Sequence, residues 1–578
     1  MGIEMGTDRS GSARLEKNPL PLRDPQTVMD IKRLGSMHQS RLSFMRALMR
    51  KVMREQWSIQ TERMDLDKSG YGSVVYRVSA GENRYSFVAF SHQLADAERS
   101  DRVIAEKWDV TLALCMGEVD EARLARLQAN VPKQEAGRAS TDMLVLSRGN
   151  KSSRNFEYVV DELAAGRQPS MQKLAQVGYL YRTTAVYGSG KFGLADWQKV
   201  TSQCPEFASP FAAEMFSCFM LRHFSIEQAE HLAKIKSPST AVPMQDAIKR
   251  FIGIGNATGL GMAPYLIRHP QLIAQWVLTR ERAIARVLRD GELNQETLAE
   301  FLRILAKAVQ HLDETMVADR DQTDRNRTAQ QELLSLRDWL SNTKTTIATW
   351  SMLSNHVTKV ASMETQELVN SILLEVFPDI ADAQEKYSGV DEGLRLVPEM
   401  LLSDLRRLIE RHYRWALDID FSQASANRYF WYRSEEKMEP RLGDRSNEPG
   451  VEKEMPLPIA RLVRACYDRL CASTDISSST VAQFVAQHPE QLGIVKRIQG
   501  MSQECYGEIR GNLADEHMLP LDLLRCKLSF FGVSKFDPKS KLWVRNTMFQ
   551  GAPILTDIGK PFNDDWYFPV ANPDCTAP

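Results

Sequence analysis

The sequence predicts an α+β fold, predominantly α-helical, with a small N-terminal β-containing module followed by a large helical body. Three observations carry this. Val74-Tyr76-Val78 and Tyr85-Phe87-Ala89 recur at every second position on either side of Ala80-Gly81-Glu82-Asn83, a hairpin pattern. Val110, Leu112, Leu114 and Met116 alternate again. From about Met171 onward, apolar residues recur mostly at helical spacing.

Taken in order, residues 1–24 read as a flexible tail rich in Gly, Ser and charge. Asp24-Pro25 opens a helical pattern reaching about Gln56. Leu42, Met45, Leu48, Met49 and Val52 form its apolar stripe, with Arg46, Arg50, Lys51 and Arg54 opposite. Arg41 intrudes on the stripe and calls for a partner charge. Residues 25–165 make the α+β module with antiparallel strands, 166–435 the helical body, and 436–578 a C-terminal helical segment with an irregular tail. Within these, Leu298, Phe301, Leu305 and Leu312 keep helical period after the cap residue Asn294. Ile459, Val463, Cys466 and Leu470 do so after Pro458, and a helix through Trp276 and Val287 closes at Asp290-Gly291. A short strand is expected at Leu542–Arg545.

Composition removes several classes. With 43% hydrophobic residues, 25% charged residues and a net charge of −1, no global field draws the chain to nucleic acid or acidic lipid. No apolar run approaches the roughly 20 residues that span a bilayer. The N-terminus lacks the apolar core of a secretory signal, so a cytoplasmic protein with no membrane partner is expected. The eight cysteines contain no C-x-x-C pair, which fits reduced thiols.

The chemistry-bearing stretches follow. There is no H-E-x-x-H, G-x-S-x-G, complete Walker A or kinase signature set, so neither a metal nor a cofactor is expected. Asp65-Leu66-Asp67-Lys68-Ser69-Gly70 resembles the start of a calcium loop but has Tyr76 at its twelfth position, and reads as a polar turn. His223, Glu227 and His231 are spaced for one helix face, but Ser225 and Gln228 suggest a helix start that leaves His223 outside. Gly253, Gly255, Gly259 and Gly261 suggest an anion-binding loop, with Asn256 and Thr258 as side-chain donors. A second glycine loop runs from Arg182 to Gly193 and carries Lys191.

Asn427–Arg445 places Tyr429, Phe430, Trp431 and Tyr432 directly before Arg433, Glu435, Glu436, Lys437, Glu439, Arg441, Asp444 and Arg445. Clustered carboxylates and a Lys shift one another's pKa, and an Arg fork grips an anion. Arg411-His412-Tyr413-Arg414-Trp415 repeats the flavour, although the nearby acids make nucleic acid the weaker partner.

The expected function is a metal-independent intracellular enzyme acting on a small carboxylate- or phosphate-bearing metabolite by acid–base chemistry, as lyase, isomerase or hydrolase. Glu435 or Glu436 would move a proton, with Tyr432 or Lys437 as second acid–base group. Arg433 or Arg441 would anchor the anion, while Arg182, Lys191, Gly255, Asn256, Thr258 and Gly259 complete the binding set. The alternative is a non-enzymatic helical scaffold or regulatory protein that holds partners through the basic helix Lys32–Arg54 and its helical surfaces. A homo-oligomer is compatible with either.

Overall fold

A computed structural model describes residues 20–93, 108–130, 143–188, 202–259, 270–342, 347–385, 394–423, 459–510, 521–540 and 543–571. Backbone alone is described at 5–7, 13–15, 130, 187–188, 257–259, 430–434, 440–442, 451–456, 540 and 543.

Fourteen strands are described: β1 Met5–Thr7, β2 Ala13–Leu15, β3 Ser58–Leu66, β4 Gly72–Ala80, β5 Asn83–Ser91, β6 Val110–Met116, β7 Met143–Lys151, β8 Tyr179–Thr183, β9 Gly253–Gly259, β10 Phe430–Ser434, β11 Pro440–Leu442, β12 Val451–Pro456, β13 Lys535–Ser540 and β14 Trp543–Met548. Nine form one sheet in the order β13-β14-β9-β8-β7-β6-β5-β4-β3. Every pair in it is antiparallel except β8 and β9, which run parallel.

This corrects the expected fold class. The β structure is not a small N-terminal module set before a helical body, because β8 and β9 lie inside the presumed body and β13 and β14 come from the C-terminal segment. The fold is mixed α/β around a large sheet. The expected hairpin stands, with Ala80 paired to Asn83 and Gly81 at φ +58°. Both sheet faces are buried along β4–β7. Val74, Tyr76, Phe87 and Leu112 join the main apolar cluster, while Val75, Val88, Phe90 and Ala113 meet Leu124 and Leu127 on the reverse. That double burial explains why β6 reads as an almost continuous apolar run.

The glycine stretch Gly253–Gly259 is β9, an interior strand rather than a loop. Its glycines answer to crowding. A Cβ on Gly253 would stand 2.5 Å from the Met548 carbonyl oxygen, and one on Gly255 would stand 2.6 Å from the Tyr179 ring. Likewise Arg182 and Thr183 end β8, and Ala185–Gly188 forms a short helix. Between β8 and β9 the chain makes one long helix, Ala212–Lys236. His223, Glu227 and His231 all lie on it, so Ser225 is not its start; its Oγ donates to the Arg222 carbonyl. Glu227 takes up His223 at 3.1 Å and the Tyr76 hydroxyl at 2.6 Å.

The long helix expected from Asp24 is broken into Pro25–Val28, Ile31–Ser36 and Phe44–Arg54. Asp24 and Asp30 cap the first two. Arg41 finds its partner charges in Asp382, at 2.8 Å, and Glu375, at 3.4 Å. Arg46 pairs with Glu375 and Asp564, both at 3.0 Å, and lies beside the Trp566 and Tyr567 rings. Arg23 and Arg33 meet Glu367, and Arg23 also meets Glu281. The basic face is therefore spent on tying the N-terminal helices to Met363–Val376 and the C-terminal tail.

Candidate functional site

β8, the helix Ala212–Lys236 and β9 form a β-α-β unit around the only parallel pair in the large sheet. Ligands of α/β proteins gather outside the carboxyl ends of such strands. The glycine stretch at residues 188–193 follows β8 in the chain, whereas the other glycine stretch largely forms β9 itself.

The side-chain row at the last residue of β8 can be traced across the sheet. Gly149, Thr183, Asn256 and Asn546 are successive register partners on β7, β8, β9 and β14. A Cβ on Gly149 would stand 3.0 Å from Leu221, so this row faces the crossover helix. The helix runs antiparallel to the strands. Arg222 Nε donates to the carbonyl of Ile252, just before β9, whereas the Cys218 thiol meets the Val186 amide, just past β8. Glu214 lies one turn further toward the carboxyl ends. It shares a helix face with Leu221, about 10 Å along the axis at ~1.5 Å per residue.

Glu214 is the residue the sequence reading missed. It is fully buried, and neither carboxylate oxygen has a hydrogen-bond partner among the described residues beyond its own backbone amide. Burial pushes its pKa up to about 8, against the smaller pull of that amide. The carboxyl is therefore protonated at neutral pH and able to donate. A signal existed: Glu214 is the only charge in Ser209–Leu221. The helix begins at Phe211 with φ +57°, a strained conformation for a bulky residue, held by packing on Phe44 and Phe531.

The row that faces this helix also holds two buried amides. Asn256 Oδ1, and both Nδ2 and Oδ1 of Asn546, have no partner among the described residues. Buried polar atoms in native proteins are paired as a rule, so such a group invites a ligand. On the opposite face of the same strands lie Arg182, next to Gly255, then Thr547 and Lys535. Burial first, then the charge of Arg545, brings the Lys535 pKa down to about 8, while Nζ donates to the Ala175 and Gln176 carbonyls at 3.0 Å. Arg545 pairs with Asp537 at 2.7 Å.

The expected site residues thus divide. Arg182, Gly255, Asn256, Thr258 and Gly259 come together on β8 and β9, although Arg182 and Asn256 emerge on opposite faces. Tyr432 and Arg433 lie on β10 and Arg441 on β11, in a separate sheet of order β11-β10-β12, where Tyr432 faces Arg441 in register. This segment therefore pairs as strands, and Phe430–Ser434 is flanked on both sides. Lys191, Glu435, Glu436 and Lys437 lie outside the described residues.

Comparison with protein families, curated proteins and solved structures found no match. Among the described residues no helix is long and apolar enough to cross a membrane.

Proposed function

We propose that the protein is an enzyme that moves a proton on a small carboxylate- or phosphate-bearing metabolite at the carboxyl ends of β8 and β9. The observations that carry this reading are the solitary buried carboxyl of Glu214 on the crossover helix and the unpaired amides of Asn256 and Asn546 on the row that faces that helix. A carboxyl that titrates near neutrality serves equally as acid and base. The two Asn side chains would orient a carbonyl or hydroxyl. The first-turn amides of the 25-residue crossover helix would favour the anionic group. Lyase, isomerase and hydrolase chemistries share these needs.

A cytoplasmic setting belongs to the same proposal, and the free thiols of the described cysteines support it. A scaffold would have to dock through other helical surfaces, because the arginines of the basic helix are engaged inside the molecule.

The test is a thermal-shift screen with inorganic phosphate, glycerol 3-phosphate, malate and oxalate, because a ligand of the folded state raises its melting temperature. At least one should raise it in the native chain and do so less in Asn256→Ala. No shift with any of them, or an equal shift in the variant, contradicts the proposal.

A further inference from the structure

A cavity of about 360 Å³, lined by none of the residues named for the β8–β9 site, lies between the N-terminal helix Pro25–Val28, the junction of helices Leu402–His412 and Arg414–Leu417, and the segment Ser502–Arg510. Its volume lies at the small end of ordinary ligand pockets, roughly 300–1,000 Å³. Its wall combines the Tyr413 and Trp415 rings with Arg411, His412 and Arg510.

The charged groups left without a partner in this wall are both donors. Among the described residues neither Arg411 nor Arg510 forms a salt bridge or side-chain hydrogen bond, and the buried Trp415 Nε1 meets no acceptor there. Burial lowers the Arg510 pKa, while Asp24 and Asp30 act on it only at a distance. Two of the acids in the wall are occupied. Glu508 pairs with Arg497, Nε to Oε2 at 2.7 Å, and Asp24 accepts from the Gln26 amide at 3.0 Å as a helix cap. Glu504 is the third, and it too has a partner. The surplus is thus guanidinium and indole N–H beside a flat apolar ring. Such a wall asks for anionic oxygens joined to a planar group.

We propose that this cavity binds a planar anion, its ring against Trp415 and its carboxylate or phosphate on Arg411 and Arg510. The proposal stands independently of Glu214. Two sources share that chemistry, a nucleoside monophosphate and an aromatic carboxylate.

Isothermal titration calorimetry of the full chain with adenosine monophosphate and with benzoate separates them. At least one should bind with a submillimolar Kd, weakening as salt rises, and the preferred probe identifies the anionic group. Arg411→Gln, at an exposed position, should weaken binding at least tenfold without moving the melting temperature. Arg510→Gln should do the same, with circular dichroism as its folding control. Asn256→Ala should leave this binding unchanged. Failure of both probes to bind at millimolar concentration overturns the proposal, as does undiminished binding in Arg411→Gln.

Discussion

Asn256 and Asn546 stand opposite one another across the β9–β14 ladder, both buried, with three of their four side-chain amide nitrogen and oxygen atoms unpaired among the described residues. An orphaned buried polar atom costs about 1–3 kcal/mol, and an apolar residue of similar shape removes that cost. Asn546→Leu should therefore raise the melting temperature while abolishing ligand-induced shifts. A lowered melting temperature would mean that the amide serves packing alone.

Glu375 holds Arg46 by both oxygens at 3.0 Å, with both side chains fully buried. Removing one member of such a pair strands the other charge and costs about 3–5 kcal/mol. Glu375→Ala should lose that much in urea unfolding. Replacing the exposed Arg407, whose partner is Asp404, should change stability by less than about 1 kcal/mol.

Glu364 sets an acid limit. Burial alone would raise its pKa, but the Arg525 guanidinium and a hydrogen bond from His38 bring it down to about 2. A carboxyl depressed in the folded state stabilises above its ordinary value of 4.5, and that contribution is lost as pH falls through about 2. Denaturation midpoints measured from pH 5 to pH 2 should decline less steeply in Glu364→Gln than in the native chain.

Gly255 tests the crowding along β9. A Cβ there would meet the Tyr179 ring at 2.6 Å and Arg182 Cβ at 2.8 Å. Gly255→Ala should cost about 1–3 kcal/mol, as overpacking does. A neutral effect would show that the strand has room to yield.

The hairpin and β6 were legible because large apolar residues recur at every second position there, although both faces are covered and several intervening residues are apolar too. The helix caps at Asn294 and Asp24 were legible for the same local reason. β8 and β9 were not. β8 has five residues, and β9 is rich in glycine because Tyr179 and Met548 press against it, which mimics loop composition. The need of Arg41 for a partner could be read, but not the identity of Asp382, 341 positions away. The candidate site followed suit. Asn256 stood out beside its glycines, whereas Asn546 carries no local signal and Glu214 only its isolation among apolar neighbours.

Infrared spectroscopy of the carboxyl groups tests the central claim most directly. The native protein at pH 6 should show a protonated-carboxyl band that titrates near pH 8, shifts when a ligand binds and vanishes in Glu214→Gln. The same variant should be more stable than the native chain at pH 8 and gain little at pH 4, because a carboxyl raised by folding loses stability as pH climbs. A Glu214 that ionises in the ordinary carboxylate range would contradict the account.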